Sequence, residues 1–124
     1  MEHIIHKNES YQLVGMCYEV HNQLGAGFLE IVYKDALEYE FRKNNIPYER
    51  EKVYKVHYKD VILPHHFYAD FVVYNKIILE VKGVSAITDE FVAMSINYLK
   101  VSNNKLALIA NFGELKLNIK RVVL

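Results

Sequence analysis

The sequence predicts an α/β domain, a mixed sheet flanked by helices, in the order helix, helix, three strands, helix, two strands. Three observations carry that prediction. Apolar residues recur at helical spacing in three stretches, two before Lys43 and one after Gly83. Asp70–Lys82 is close to a mirror about Asn75, the mark of two antiparallel strands joined by a short loop. Leu106–Ala110 is an unbroken apolar run, as expected of a strand covered on both faces and often parallel to its neighbour.

In chain order, residues 1–9 are polar and unperiodic and read as a loose lead-in. Ser10 is placed to cap a first helix in which Leu13, Val14, Cys17, Val20 and Leu24 form one stripe, and Gly25-Ala26-Gly27 ends it. His21 and Glu19 read as satisfied polar residues at its edge. A second helix runs from Phe28 to Lys43, with Leu29, Val32, Tyr33, Ala36, Leu37 and Phe41 on one face. Glu30 projects inside that apolar arc. A buried carboxylate is costly unless paired, so Glu30 should meet a metal, a lysine or a hydrogen-bond donor. Pro47 closes the helix, because the residue before a proline avoids helical geometry.

Glu51–Tyr58 alternates Tyr54, Val56 and Tyr58 with Lys55 and His57, the pattern of a half-buried strand. Lys59-Asp60 and Leu63-Pro64 read as turns, and His65-His66 leads into the hairpin. Adjacent histidines on an extended chain point to opposite sides and do not grip one ion together. Thr88 or Asp89 is suited to cap a third helix, to about Lys100, whose stripes are Phe91, Met94, Tyr98 and Val92, Ile96, Leu99. Asn111-Phe112-Gly113 then turns the chain into a last strand in which Leu115, Leu117 and Ile119 alternate with Lys116, Asn118 and Lys120.

The hairpin holds the candidate chemistry. Phe71 answers Leu79, Val72 answers Ile78, Val73 answers Ile77 and Asp70 answers Glu80, so an odd-length loop centred on Asn75 sets the two acids opposite each other. Opposed residues have Cβ atoms roughly 4.5 to 5.5 Å apart, close enough for two carboxylates to share one divalent ion. Lys82 lies two residues beyond Glu80, hence on the same face.

Composition bounds the rest. At 124 residues and 52% hydrophobic content the chain, 1–124, suits one domain with its own core. Lys plus Arg and Asp plus Glu number 15 each, so net charge does not point to a polyanionic partner. Charge distribution is more informative: after Leu99 the basic residues are Lys100, Lys105, Lys116, Lys120 and Arg121 against the one acid Glu114. A solvated face is the first explanation of this, and a nucleic-acid-binding surface the alternative. The lone Cys17 cannot form an internal disulfide and no signal peptide is evident, so a reducing cytoplasm is expected. No apolar run approaches the roughly 20 residues that span a bilayer.

An acid on one hairpin strand, Glu-x-Lys on the next and a Glu on the preceding helix together resemble the PD-(D/E)XK nuclease superfamily, with its restriction-endonuclease-like core of helix, three strands, helix and strand. Closer still, Glu19-Val20-His21, Leu24-Gly25-Ala26-Gly27-Phe28-Leu29-Glu30-Ile31-Val32-Tyr33, Asn97-Tyr98-Leu99-Lys100 and Ile119-Lys120-Arg121-Val122 resemble the GxxExxY protein family of that superfamily. The likeness runs from about Leu13 to the C-terminal end and leaves an extra helix before the core.

The resemblance implies that Asp70 and Glu80 bind magnesium or manganese, that Lys82 positions or helps deprotonate water, and that Glu30 assists the metal site or orients Lys82. It implies cleavage of DNA or RNA. Two positions depart from the pattern: Ala69 stands where the superfamily has Pro, and Met94 stands where the family usually has Gln. Three readings are therefore open: a metal-dependent nuclease, a nuclease-fold module that binds nucleic acid or a protein without cutting, and a structural cluster in which Lys82 pairs with Asp70 and Glu80.

Overall fold

The computed structural model describes residues 4–124, so Met1–His3 of the expected lead-in lie outside the described residues. The chain forms α1 (Lys7–Leu24), α2 (Glu30–Lys43), β1 (Tyr48–Tyr58), β2 (Val61–Val73), β3 (Ile77–Lys82), α3 (Asp89–Ser102), β4 (Leu106–Asn111) and β5 (Asn118–Val123). The strands lie side by side in chain order in one mixed sheet. Only β3 and β4 run parallel, because α3 carries the chain back between them. The predicted order and the mixed sheet are both observed.

The sheet is covered on both sides. Leu13, Cys17 and Val20 of α1 and Tyr33, Leu37 and Phe41 of α2 pack on Phe71, Val73, Leu79 and Leu108. On the opposite side, Leu99 of α3, with the partly buried Phe91, Ile96 and Tyr98, packs on Val72, Ile78, Ile109 and Val122. Cys17 is fully buried, and burial pushes its thiol up to about 12. Among the described residues no helix is long and apolar enough to cross a membrane.

The hairpin register follows the mirror in the sequence: Phe71 pairs with Leu79, Val72 with Ile78 and Val73 with Ile77. The loop Tyr74-Asn75-Lys76 turns through left-handed backbone at Tyr74 and Asn75, with φ of 58° and 59°.

Several element boundaries differ from expectation. α1 begins at Lys7, so Ser10 lies inside it. Its hydroxyl donates backward to the Lys7 carbonyl at 3.1 Å, because Ser10 shares the buried stripe of Leu13 and Cys17 and the helix continues through it. α2 begins at Glu30, which places Leu29 outside the helix and 75% exposed. Leu63-Pro64 is no turn but part of β2, in the interval where the β1–β2 register shifts between Lys55 and His57. A bulge tolerates a proline because the ladder there needs no donor. His65 is exposed and the adjacent His66 half-buried. The last strand starts at Asn118, leaving Leu115 93% exposed in the preceding bend, where the Glu114 carboxylate accepts from the side-chain amides of Asn111 and Asn118.

The α1–α2 connection depends on one hydroxyl. Tyr33 is fully buried, stacks on Phe112 with ring centroids 4.6 Å apart, donates to the Gly25 carbonyl at 2.6 Å and accepts from the Phe28 N–H at 3.1 Å. Gly27, inside the loop so closed, has φ of 110°, which disfavours any side chain. Tyr33→Phe keeps the ring and loses both bonds. It should lower unfolding free energy by about 1–2 kcal/mol in urea titration, and an unchanged midpoint would show the loop to be held otherwise.

Candidate active site

β2 and β3 pair over Phe71–Val73 and Ile77–Leu79. The next two bonds between these strands run through side chains. The Val81 N–H donates to Asp70 Oδ2 at 2.8 Å, and the Asp70 N–H donates to Glu80 Oε1 at 3.2 Å. Each acid thus holds a backbone donor of the opposite strand. This clasp brings together the two carboxylates that parity placed opposite each other, each accepting from the strand that carries the other. The β1–β2 ladder is also interrupted at this level: Arg50 pairs with Phe71 and Lys52 with Ala69, while Glu51, with φ of 54°, skips its pairing with Asp70.

The clasp has an electrostatic cost. Glu80 is 4% exposed, and burial, then the Asp70 charge and the hydrogen bond between the two acids, push its carboxyl from the ordinary range up to about 9; Lys82 opposes this. Tyr98 of α3 donates its hydroxyl to the Tyr68 carbonyl at 3.0 Å. Burial, followed by the charges of Glu80, Asp70 and Glu51, holds that hydroxyl well above its ordinary pKa. A second negative charge so deeply buried beside Asp70 is offset by a proton on Glu80 or by a cation.

Lys82 lies at the end of β3, its Nζ 4.8 Å from the centroid of the Phe91 ring on α3. Among the described residues it forms no ion pair, so the cluster that would pair Lys82 with Asp70 and Glu80 is not the arrangement observed. The ammonium on Asp70 is Lys34 of α2, with Nζ 3.0 Å from Oδ1, and it also bonds Glu51. Burial works against that charge, but the hydrogen bonds and charges of Glu51 and Asp70 outweigh it and raise the Lys34 pKa.

Glu30 is exposed at the first turn of α2 rather than buried in an apolar arc, because the helix starts with it. It does meet a donor: the Gly83 N–H, adjacent to Lys82, bonds Glu30 Oε2 at 2.9 Å. The strand end is fixed from the other side too. Phe112 N–H donates to the Lys82 carbonyl at 2.8 Å, and the fully buried Asn111 accepts from Val84 N–H and donates to its carbonyl, both at 3.0 Å. Met94 is 44% exposed, one turn beyond Phe91.

Lys34 is the site residue that the reading of the sequence missed. Its signal was its spacing, one helical turn after Glu30 and so on the same side of α2.

The donor set can be compared with the needs of a hard divalent cation. Among the described residues no group of three or more His, Cys, Asp or Glu side chains is gathered to hold a metal. Magnesium does not require one, since it binds through one or two carboxylates and keeps several waters. Asp70 and Glu80, held together and short of compensating charge, fit that need.

The five basic residues divide. Lys120 pairs with Ile109, which pairs with Glu80, so it lies two strands and about 10 Å from Glu80. Strand alternation from Val122 puts it on the α3 side of the sheet. Lys116 belongs to the bend joining β4 to β5, at the sheet end that carries Lys82. Lys100 and Lys105 lie at the opposite end, beside Asn103 and Leu124. Arg121 donates to Ser10 Oγ at 3.2 Å and to the Ile5 carbonyl, a tie to the α1 region.

No curated protein and no solved structure matches the chain. Residues 7–122 match the family profile described as the PD-(D/E)XK nuclease superfamily, and with its core order and an extra N-terminal helix in place, the chain belongs to that superfamily.

Proposed function

We propose that this protein is a metal-dependent nuclease of the GxxExxY family, hydrolysing phosphodiester bonds of DNA or RNA in the cytoplasm. The observation that carries the proposal is the clasp: Asp70 and Glu80 meet at the hairpin opening, Lys82 follows two residues on, and Glu30 holds the adjacent Gly83 amide. In this reading Asp70 and Glu80 hold magnesium or manganese. When bound, the ion polarises the phosphodiester and lowers the pKa of a coordinated water. Lys82, free of a carboxylate partner among the described residues, is available to stabilise negative charge growing on the phosphate. Glu30 orients Lys82 by fixing the backbone beside it. Lys116 and Lys120 guide the nucleic acid, whereas Arg121 is structural and Lys100 and Lys105 lie remote from the chemistry.

A non-cutting module that binds nucleic acid or a protein is the competing reading, favoured by Met94 at the family's Gln position. The deciding experiment offers single- and double-stranded DNA and RNA with magnesium or manganese. Cleavage abolished by chelator is expected, and inertness on every substrate with metal bound would favour the module. Replacing Lys116 and Lys120 together with Ala should weaken nucleic-acid binding and lower its salt dependence by about two phosphate contacts. Replacing Lys100 and Lys105 should change little, and the reverse pattern would place the nucleic acid at the other end of the sheet.

A further inference from the structure

Lys34 occupies the place of a counter-ion. Its side chain is 11% exposed and sits between two carboxylates, Asp70 Oδ1 at 3.0 Å and the Glu51 carboxylate. The two partners differ in setting. Asp70 belongs to the clasp and has 17% of its side chain exposed, whereas Glu51 lies at the rim with 49% exposed. Glu51 is also the β1 residue that leaves the ladder opposite Asp70, with left-handed backbone. A residue so placed gives the ammonium a second berth that does not depend on Asp70.

We propose that Lys34 is the cation that a divalent ion displaces from Asp70, and that Glu51 receives it. The inference rests on the metal reading of Asp70 and Glu80. In the metal-free protein Lys34 partly neutralises the acid pair. When a divalent ion approaches, two positive charges compete for the same carboxylate, and the fixed one repels the other. Lys34 then keeps its bond to Glu51 and releases Asp70. It is a positioning residue that sets metal affinity, and it makes the site discriminate against weakly held ions.

The test is calorimetric titration of the whole chain with manganese, comparing wild type, Lys34→Met, Glu51→Gln and the double variant. Lys34→Met should tighten manganese binding roughly tenfold, since one competing charge is removed from a partly screened site. Glu51→Gln should weaken binding while Lys34 is present, because the displaced ammonium has lost its berth, and should have little effect in the Lys34→Met background. Should Lys34→Met fold poorly, Lys34→Arg supplies the opposite sign, since a forked guanidinium grips Asp70 more firmly and should weaken manganese binding. Manganese binding that ignores Lys34, or an equal effect of Glu51→Gln in both backgrounds, overturns this proposal and leaves the metal reading intact. Absence of manganese binding in every variant overturns both.

Discussion

Lys82→Ala is expected to reduce magnesium-dependent cleavage by about 10³-fold while leaving manganese affinity nearly unchanged. Those two readouts separate because the ammonium touches neither Asp70 nor Glu80 among the described residues and sits over the Phe91 ring. Lys82 lies near enough for its charge to be felt at Glu80, but its main stabilisation is of charge that grows during reaction, so rate should fall far more than ground-state metal binding changes. Stopped single-turnover cleavage at saturating metal, beside the calorimetric titration, is the measurement. Loss of metal affinity in parallel with activity would instead make Lys82 part of the ion's electrostatic cradle. Full activity would remove it from the chemistry altogether.

Glu80→Gln should have effects of opposite sign on function and on stability. Cleavage and manganese binding should both fall below detection, since an amide oxygen is a poor substitute for the carboxylate. The metal-free fold should become more stable, because Gln fills the same space, still accepts from the Asp70 N–H and can donate to Asp70. The pH dependence gives the sign. Glu80's carboxyl is raised in the folded protein from its ordinary 4.5 to about 9, so the folded state binds the proton more tightly than the unfolded chain. Its contribution to stability is therefore fully present below the ordinary value and is lost as pH rises toward about 9. Glu80→Gln does not titrate, so its advantage in unfolding free energy, read from urea titrations at several pH values, should grow across that window and reach at least about 1 kcal/mol. A difference that is flat with pH, or that favours wild type at alkaline pH without metal, would contradict it.

Much of this was legible because the hairpin is local. Its register depends on residues a few positions apart, so the palindrome about Asn75 was enough to pair Phe71 with Leu79 and set Asp70 against Glu80. Lys34 was not legible in the same way, because its partners Asp70 and Glu51 are set by how α2 crosses the sheet. Glu30 was half legible: periodicity singled it out, but an arc drawn from Phe28 assumed a helix that in fact starts two residues later. Pro64 read as a turn because a proline usually breaks a ladder; the register shift that accommodates it involves β1 as much as β2. Leu115 fitted an alternating pattern, yet the Glu114 contacts to Asn111 and Asn118 bend the chain there before the strand begins. Among the basic residues, a count along the chain could not tell Lys120, level with Glu80, from Arg121, which ties to Ser10 and Ile5.

The bonds from backbone N–H groups to carboxylates at the clasp make three amides into native spectroscopic reporters. Those of Asp70, Val81 and Gly83 each donate to a carboxylate of the site, on Glu80, Asp70 and Glu30 respectively. An amide proton resonance is sensitive to the charge of its acceptor, so protonation or ion capture at any one acid registers in its own peak of a heteronuclear spectrum. The protein thereby carries a residue-resolved record of its site's charge state that needs neither substrate nor attached probe.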